Sequence, residues 1–156
     1  MDSKYITPFI DSTINTFKEL FREEITVKKP FYMDKNEIYH WDITAIIGIA
    51  GDAKGAVLLS FKEDVAIFLT SRLTENTVEQ VTDEVIDTIG ELVNIISGNA
   101  KKGLEEYRLM ISLPSIIKGT NFGVVLPTKN LPIIVIPFEM SRGIFHLSVC
   151  LENIIG

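Results

Sequence analysis

Glu91 and Asn94 stand three positions apart in a segment, Asp83 to Leu104, whose apolar residues recur at helical spacing. Placed on a wheel at about 100° per residue, Val85, Ile86, Ile89, Leu92, Val93, Ile96, Ala100 and Leu104 share one broad face that must be buried. Asp87, Glu91, Asn94, Gly98 and Lys101 gather on the other. Residues three apart on a helix are surface neighbours, so a carboxylate and a carboxamide sit side by side pointing outward. Together they offer charge, hydrogen-bond donors and acceptors to something outside the helix.

The simplest alternative is a solvated helix face, and Glu-x-x-Asn alone is too short a pattern to exclude it. Two features argue against it. Asparagine is a weak helix former, and each of the flanking Gly90 and Gly98 costs roughly 0.5–1 kcal/mol relative to alanine inside a helix. Gly98 lies on the polar face itself, where a missing side chain leaves room for another backbone. A polar pair with a glycine beside it reads as a docking surface.

The rest of the chain must position that helix. Tyr5 to Phe21 repeats Ile6, Phe9, Ile10, Ile14, Phe17, Leu20 and Phe21 at helical spacing, which predicts an amphipathic helix. A polar, irregular stretch follows around Thr26–Glu37. Asp42–Ala50 and Ala56–Phe61 are aliphatic runs separated by Gly51-Asp-Ala-Lys-Gly55, a hairpin pattern. Lys62-Glu63-Asp64 opens a short helix, and Thr82 or Asp83 can cap the long helix, expected to run to about Tyr107. Strand patterns then cover Ile111–Lys118, Gly123–Leu126, Leu131–Phe138 and Ile144–Leu151. Pro114, Pro127, Pro132 and Pro137 belong at strand ends, edges or bulges, because proline removes a ladder donor. The order predicts an α+β fold, an antiparallel or mixed β-sheet covered by helices, in a single domain spanning 1–156.

Composition narrows the function. The chain has 156 residues, 46% of them hydrophobic, with 15 Lys+Arg against 21 Asp+Glu and a net charge of −6. Mean hydropathy is +0.24 and the isoelectric point is near 4.9. The apolar content supports a packed core; the acidic balance argues against nucleic-acid binding, which needs clustered cations. Ile43–Ala50 and Leu131–Phe138 are too short to span a bilayer, so no membrane insertion is expected. The start, Met1-Asp2-Ser3-Lys4-Tyr5, lacks the basic and apolar regions of a signal peptide, and a lone cysteine, Cys150, reads as a buried small residue. A cytoplasmic setting is expected. Gly48–Gly55 joins two strands and matches no phosphate loop or dinucleotide fingerprint. There is no nucleophile elbow, and His40 and His146 lack the spacing of metal ligands; they read as packing or surface residues.

Asp87-x3-Glu91-x2-Asn94, followed further along by Pro114, resembles the signature of the CheC/CheX/FliY family of phosphatases for the phosphorylated chemotaxis response regulator CheY. The element order agrees over most of the chain. CheC proteins carry two such signatures and CheX one; here the first helix aligns loosely, Ile10-Asp11-Ser12 against Ile86-Asp87-Thr88, but has Asn15 and Lys18 where the later helix has Glu91 and Asn94. The resemblance is therefore to the CheX branch.

That resemblance implies hydrolysis of an aspartyl phosphate carried by a CheY-like response regulator, which brings its own phosphoryl group, Mg²⁺ and lysine; the chain needs no cofactor or metal of its own. Asn94 would orient the attacking water, as a glutamine does in GTPases, and Glu91 would pair with the regulator's lysine. Asp87, Gly98 and Lys101 would meet the partner. A homodimer with paired sheet edges is also implied, consistent with the hazard of leaving a strand such as Leu131–Phe138 exposed. The competing expectation is a non-catalytic interaction module that binds a response regulator or a flagellar switch component.

Overall fold

The computed structural model describes residues 3–34, 40–119 and 132–152. Three helices, α1 (Ser3–Phe21), α2 (Glu63–Thr74) and α3 (Asp83–Lys102), accompany eight strands. In chain order the strands are β1 (Thr26–Val27), β2 (Phe31–Tyr32), β3 (Ile43–Gly51), β4 (Gly55–Phe61), β5 (Leu109–Ile111), β6 (Ser115–Lys118), β7 (Ile134–Met140) and β8 (Gly143–Leu151). The sheet runs β1-β7-β8-β4-β3-β5, with β2 also on β7 and β6 also on β3. Every pairing is antiparallel.

Strand alternation explains why one sheet face carries the helices. Ile43, Ala45, Ile47 and Ile49 of β3, Val57, Leu59 and Phe61 of β4, and Phe145, Leu147 and Val149 of β8 all enter one core with Val85, Ile89, Leu92 and Ile96 of α3. Phe145 is its hub. Its ring stacks on Phe17 of α1 at 4.6 Å, Phe61 at 5.1 Å and Phe138 at 5.2 Å, arrangements that add to simple area burial. Cys150 is buried. His146, on the opposite sheet face, lies edge-on to Trp41 and Phe31, and burial pulls its pKa down to about 4.

Four expectations change in detail. The long helix ends at Lys102 rather than near Tyr107. A Cβ on Gly103 would lie 2.8 Å from the Cβ of Pro8, so α1 crosses at that point, and Leu104 and Tyr107 continue as turns. The irregular stretch after α1 contributes β1 and β2, each two residues long. The strand expected at Leu131–Phe138, whose Leu131 lies outside the described residues, is β7 at Ile134–Met140, flanked by β8 on one side and β1 and β2 on the other; the hazard of an exposed edge does not apply to it. Pro137 fits inside β7 because its carbonyl accepts from Lys28 N–H. Its missing donor therefore faces the gap where the chain leaves the ladder between β1 and β2.

The fourth concerns Ile111–Lys118, which is broken. Ile49 pairs with Ile111 and Ile46 with Ser115. Ser112, Leu113 and Pro114 therefore face only Ile47 and Gly48, a bulge of one extra residue. Ser112 repairs the ladder: its N–H donates to the Gly48 carbonyl, and its Oγ accepts from Gly48 N–H at 2.9 Å. The expected strand at Gly123–Leu126 lies outside the described residues, as does Pro127.

Candidate functional site

α3 is built to hold a fixed face outward. Asp83 and Glu84 occupy its first turn and Lys101 and Lys102 its last, each charge opposed to the helix macrodipole. Thr82 sits at the N-cap position; its carbonyl accepts from Val85 and Ile86 N–H, while its hydroxyl makes no capping bond. The buried stripe from Val85 to Ala100 locks the rotation of the helix on β3 and β4. On the far side, Ser12 Oγ of α1 donates to the Ile96 carbonyl at 2.8 Å. With the rotation fixed, Asp87, Glu91 and Lys101 are exposed, and Asn94 and Gly98 are half-buried.

Neither the Glu91 carboxylate nor the Asn94 amide has a hydrogen-bond or ion-pair partner among the described residues. Both keep their full bonding capacity for a visitor. The two glycines beside them differ. A Cβ on Gly98 would meet nothing within 4 Å, so this position is open ground for a docking backbone. A Cβ on Gly90 would touch Pro114 Cγ at 3.5 Å and Ile116 Cδ1 at 3.6 Å. Gly90 thus serves the chain's own packing, seating the β5–β6 bulge against α3.

That seat matters for Asn94. Gly90 lies one turn before Asn94 on the same stripe, and helical side chains tilt towards the N-terminus. Asn94 therefore stands one turn beyond the point where Pro114 packs on Gly90. The sequence shows Gly90 as an anomaly and Pro114 as a proline in a strand-like run; only the fold brings them together. Ser112 and Leu113, which complete the bulge, carried no signal of their own.

The pair lies outside both grooves described on the surface. An open groove along the α1–α3 seam, lined by Asp11, Asn15, Thr16, Glu19 and Asn99 among others, leaves Glu91 and Asn94 out. So does a second groove at the N-terminal end of α3. An open polar surface with unengaged donors and acceptors suits a macromolecular substrate better than a small molecule, which needs enclosure. Among the described residues no helix is long and apolar enough to cross a membrane.

Residues 43–139, which contain the whole arrangement, match the family model of the chemotaxis phosphatase CheX. The CheY-P phosphatase CheX of Thermotoga maritima is 29% identical over 157 aligned positions, covering 96% of this chain and 97% of that protein. Among solved structures, a CheC-like superfamily protein from Shewanella sp. PV-4 superposes with a TM-score of 0.88 at 27% identity, over 98% of this chain and 100% of that one. The chemotaxis protein CheX of Desulfovibrio desulfuricans gives 0.84 at 28% identity, over 95% and 99%.

Proposed function

Because this chain belongs to the CheX family of chemotaxis phosphatases, we propose that it hydrolyses the aspartyl phosphate of a CheY-like response regulator, with Asn94 positioning the attacking water. The observation that carries this reading is the unengaged Glu91–Asn94 pair on the outward stripe of α3, beside the open ground at Gly98.

In this reading the partner brings the phosphoryl group, a Mg²⁺ ion and a lysine. The chain supplies what that set lacks. Glu91 forms a charge-assisted bond with the lysine, a strong and directional contact that fixes the register of the two proteins. The Asn94 carboxamide then accepts a hydrogen bond from a water and donates towards the phosphoryl oxygens, holding the water in line with the phosphorus. The water oxygen bonds to phosphorus, the bond from phosphorus to the aspartyl oxygen breaks and leaves its electron pair on a free aspartate carboxylate, and both water protons leave with inorganic phosphate as dihydrogen phosphate. Catalysis of phosphoryl transfer by positioning and electrostatics needs no nucleophile from the protein. Pro114 packed on Gly90 fixes the helix one turn before Asn94, and Asp87 and Lys101 meet the partner at the ends of the stripe. A cytoplasmic location and a homodimer belong to the same reading; sedimentation equilibrium checks the second.

The test is phosphate release from a panel of phosphorylated response regulators, with and without the protein. Acceleration for at least one supports the reading. Binding to a regulator without acceleration of any would replace it with a non-catalytic interaction module.

A further inference from the structure

Leu113 is 88% exposed, the most open of the large apolar side chains among the described residues. Single exposed leucines are common and ordinarily carry no meaning. This one is set apart by its position. The bulge holds three residues where the partner strand has two. Ser112 mends the ladder through Gly48, and Pro114 packs on Gly90. Leu113, between them, is left open to water, next in the chain to the proline that packs on Gly90 one turn before Asn94. Protection of the sheet edge would explain a bulge, but that purpose is better served by a charged residue than by leucine.

We propose that Leu113 is a docking residue for the response regulator, inserting against an apolar patch on the receiver surface next to its phosphorylated aspartate. The proposal rests on the phosphatase reading given above. It commits to a second, apolar anchor on the β5–β6 side of α3, supplementing the polar contacts of Glu91 and Asn94. An apolar anchor beside a polar pair lets affinity be set independently of the catalytic geometry. Leu113 touches none of the reacting atoms, so its loss should appear in binding and leave turnover alone.

The experiment compares wild type with Leu113→Ser, Leu113→Met and Met110→Ser. The readouts are the Kd for a beryllofluoride-loaded receiver and the kcat and KM for phosphate release from the phosphorylated one. Met110 is the control. It is 64% exposed on the same edge, but alternates with the buried Leu109 and so points to the sheet face opposite α3. Burial of a leucine predicts that Leu113→Ser raises Kd and KM about tenfold and keeps kcat within about twofold. Leu113→Met should restore near-wild-type values, and Met110→Ser should change neither. Melting temperatures of all three variants should match wild type. Kd and KM for Leu113→Ser within twofold of wild type would overturn the proposal, as would an equal loss for Met110→Ser. Failure of the wild type to release phosphate from any receiver would overturn the phosphatase reading itself, and that outcome is visible before any variant is assayed.

Discussion

α1 and α3 are two long amphipathic helices on the same sheet face, of 19 and 20 residues. α1 is pinned by Phe17 on Phe145 and α3 by Val85 to Ala100. Both turn a polar stripe outward, Asp11, Asn15 and Lys18 on one and Asp87, Glu91 and Asn94 on the other. Yet Asp11 and Asn15 border a groove shared with α3, whereas Glu91 and Asn94 lie between open ground at Gly98 and the bulge proline packed on Gly90. The scaffold is common to both helices. What differs is the residue types at matching positions and the removal of side chains around one pair. A site on this fold is therefore a local construction, and either helix can be altered without the other to show it.

The largest effect belongs to Asn94. Asn94→Ala should lower kcat for phosphate release by about a hundredfold or more, as expected when a reacting group loses its positioning, and Glu91→Ala should lower both affinity and rate. Gly103→Ala attacks the joint between the two helices: its methyl would fall 2.8 Å from Pro8, and overpacking of this kind typically costs about 1–3 kcal/mol, read in urea unfolding. Gly98→Gln should separate stability from function. A side chain there meets nothing within the protein and improves helix propensity by roughly 0.5–1 kcal/mol, so the melting temperature should rise while KM for the receiver increases several-fold. The smallest effect is expected on α1, where Asn15→Ala and Lys18→Ala should leave kcat and KM within twofold. A large loss there would break the comparison by giving α1 a site of its own.

Periodicity made the three helices and the β3–β4 hairpin legible, because their burial patterns are local. The fold's edges were not. β1 and β2 are two residues each, too short to carry a period, and exist because β7 offers a ladder. The bulge at Ser112–Pro114 appears only when β5 and β6 are laid against β3. At α3, the apolar Leu104 and Tyr107 extended the helical pattern past the true end at Lys102. For the proposed site, residue types and spacing singled out Glu91, Asn94 and Gly98; the structure leaves the first two without partners among the described residues and the third open. The work of Gly90 was hidden, since a glycine inside a helix shows that something comes close without saying what. Here it is the chain's own Pro114.

The most direct test of the central claim separates docking from chemistry at Asn94. Wild type and Asn94→Ala would be titrated against a beryllofluoride-loaded receiver, and phosphate release from the phosphorylated receiver measured with the same preparations. The account predicts Kd values within about threefold of each other and a rate that collapses only in the variant, since a carboxamide that positions water contributes mainly to the transition state. Release by Asn94→Ala at the wild-type rate would contradict it.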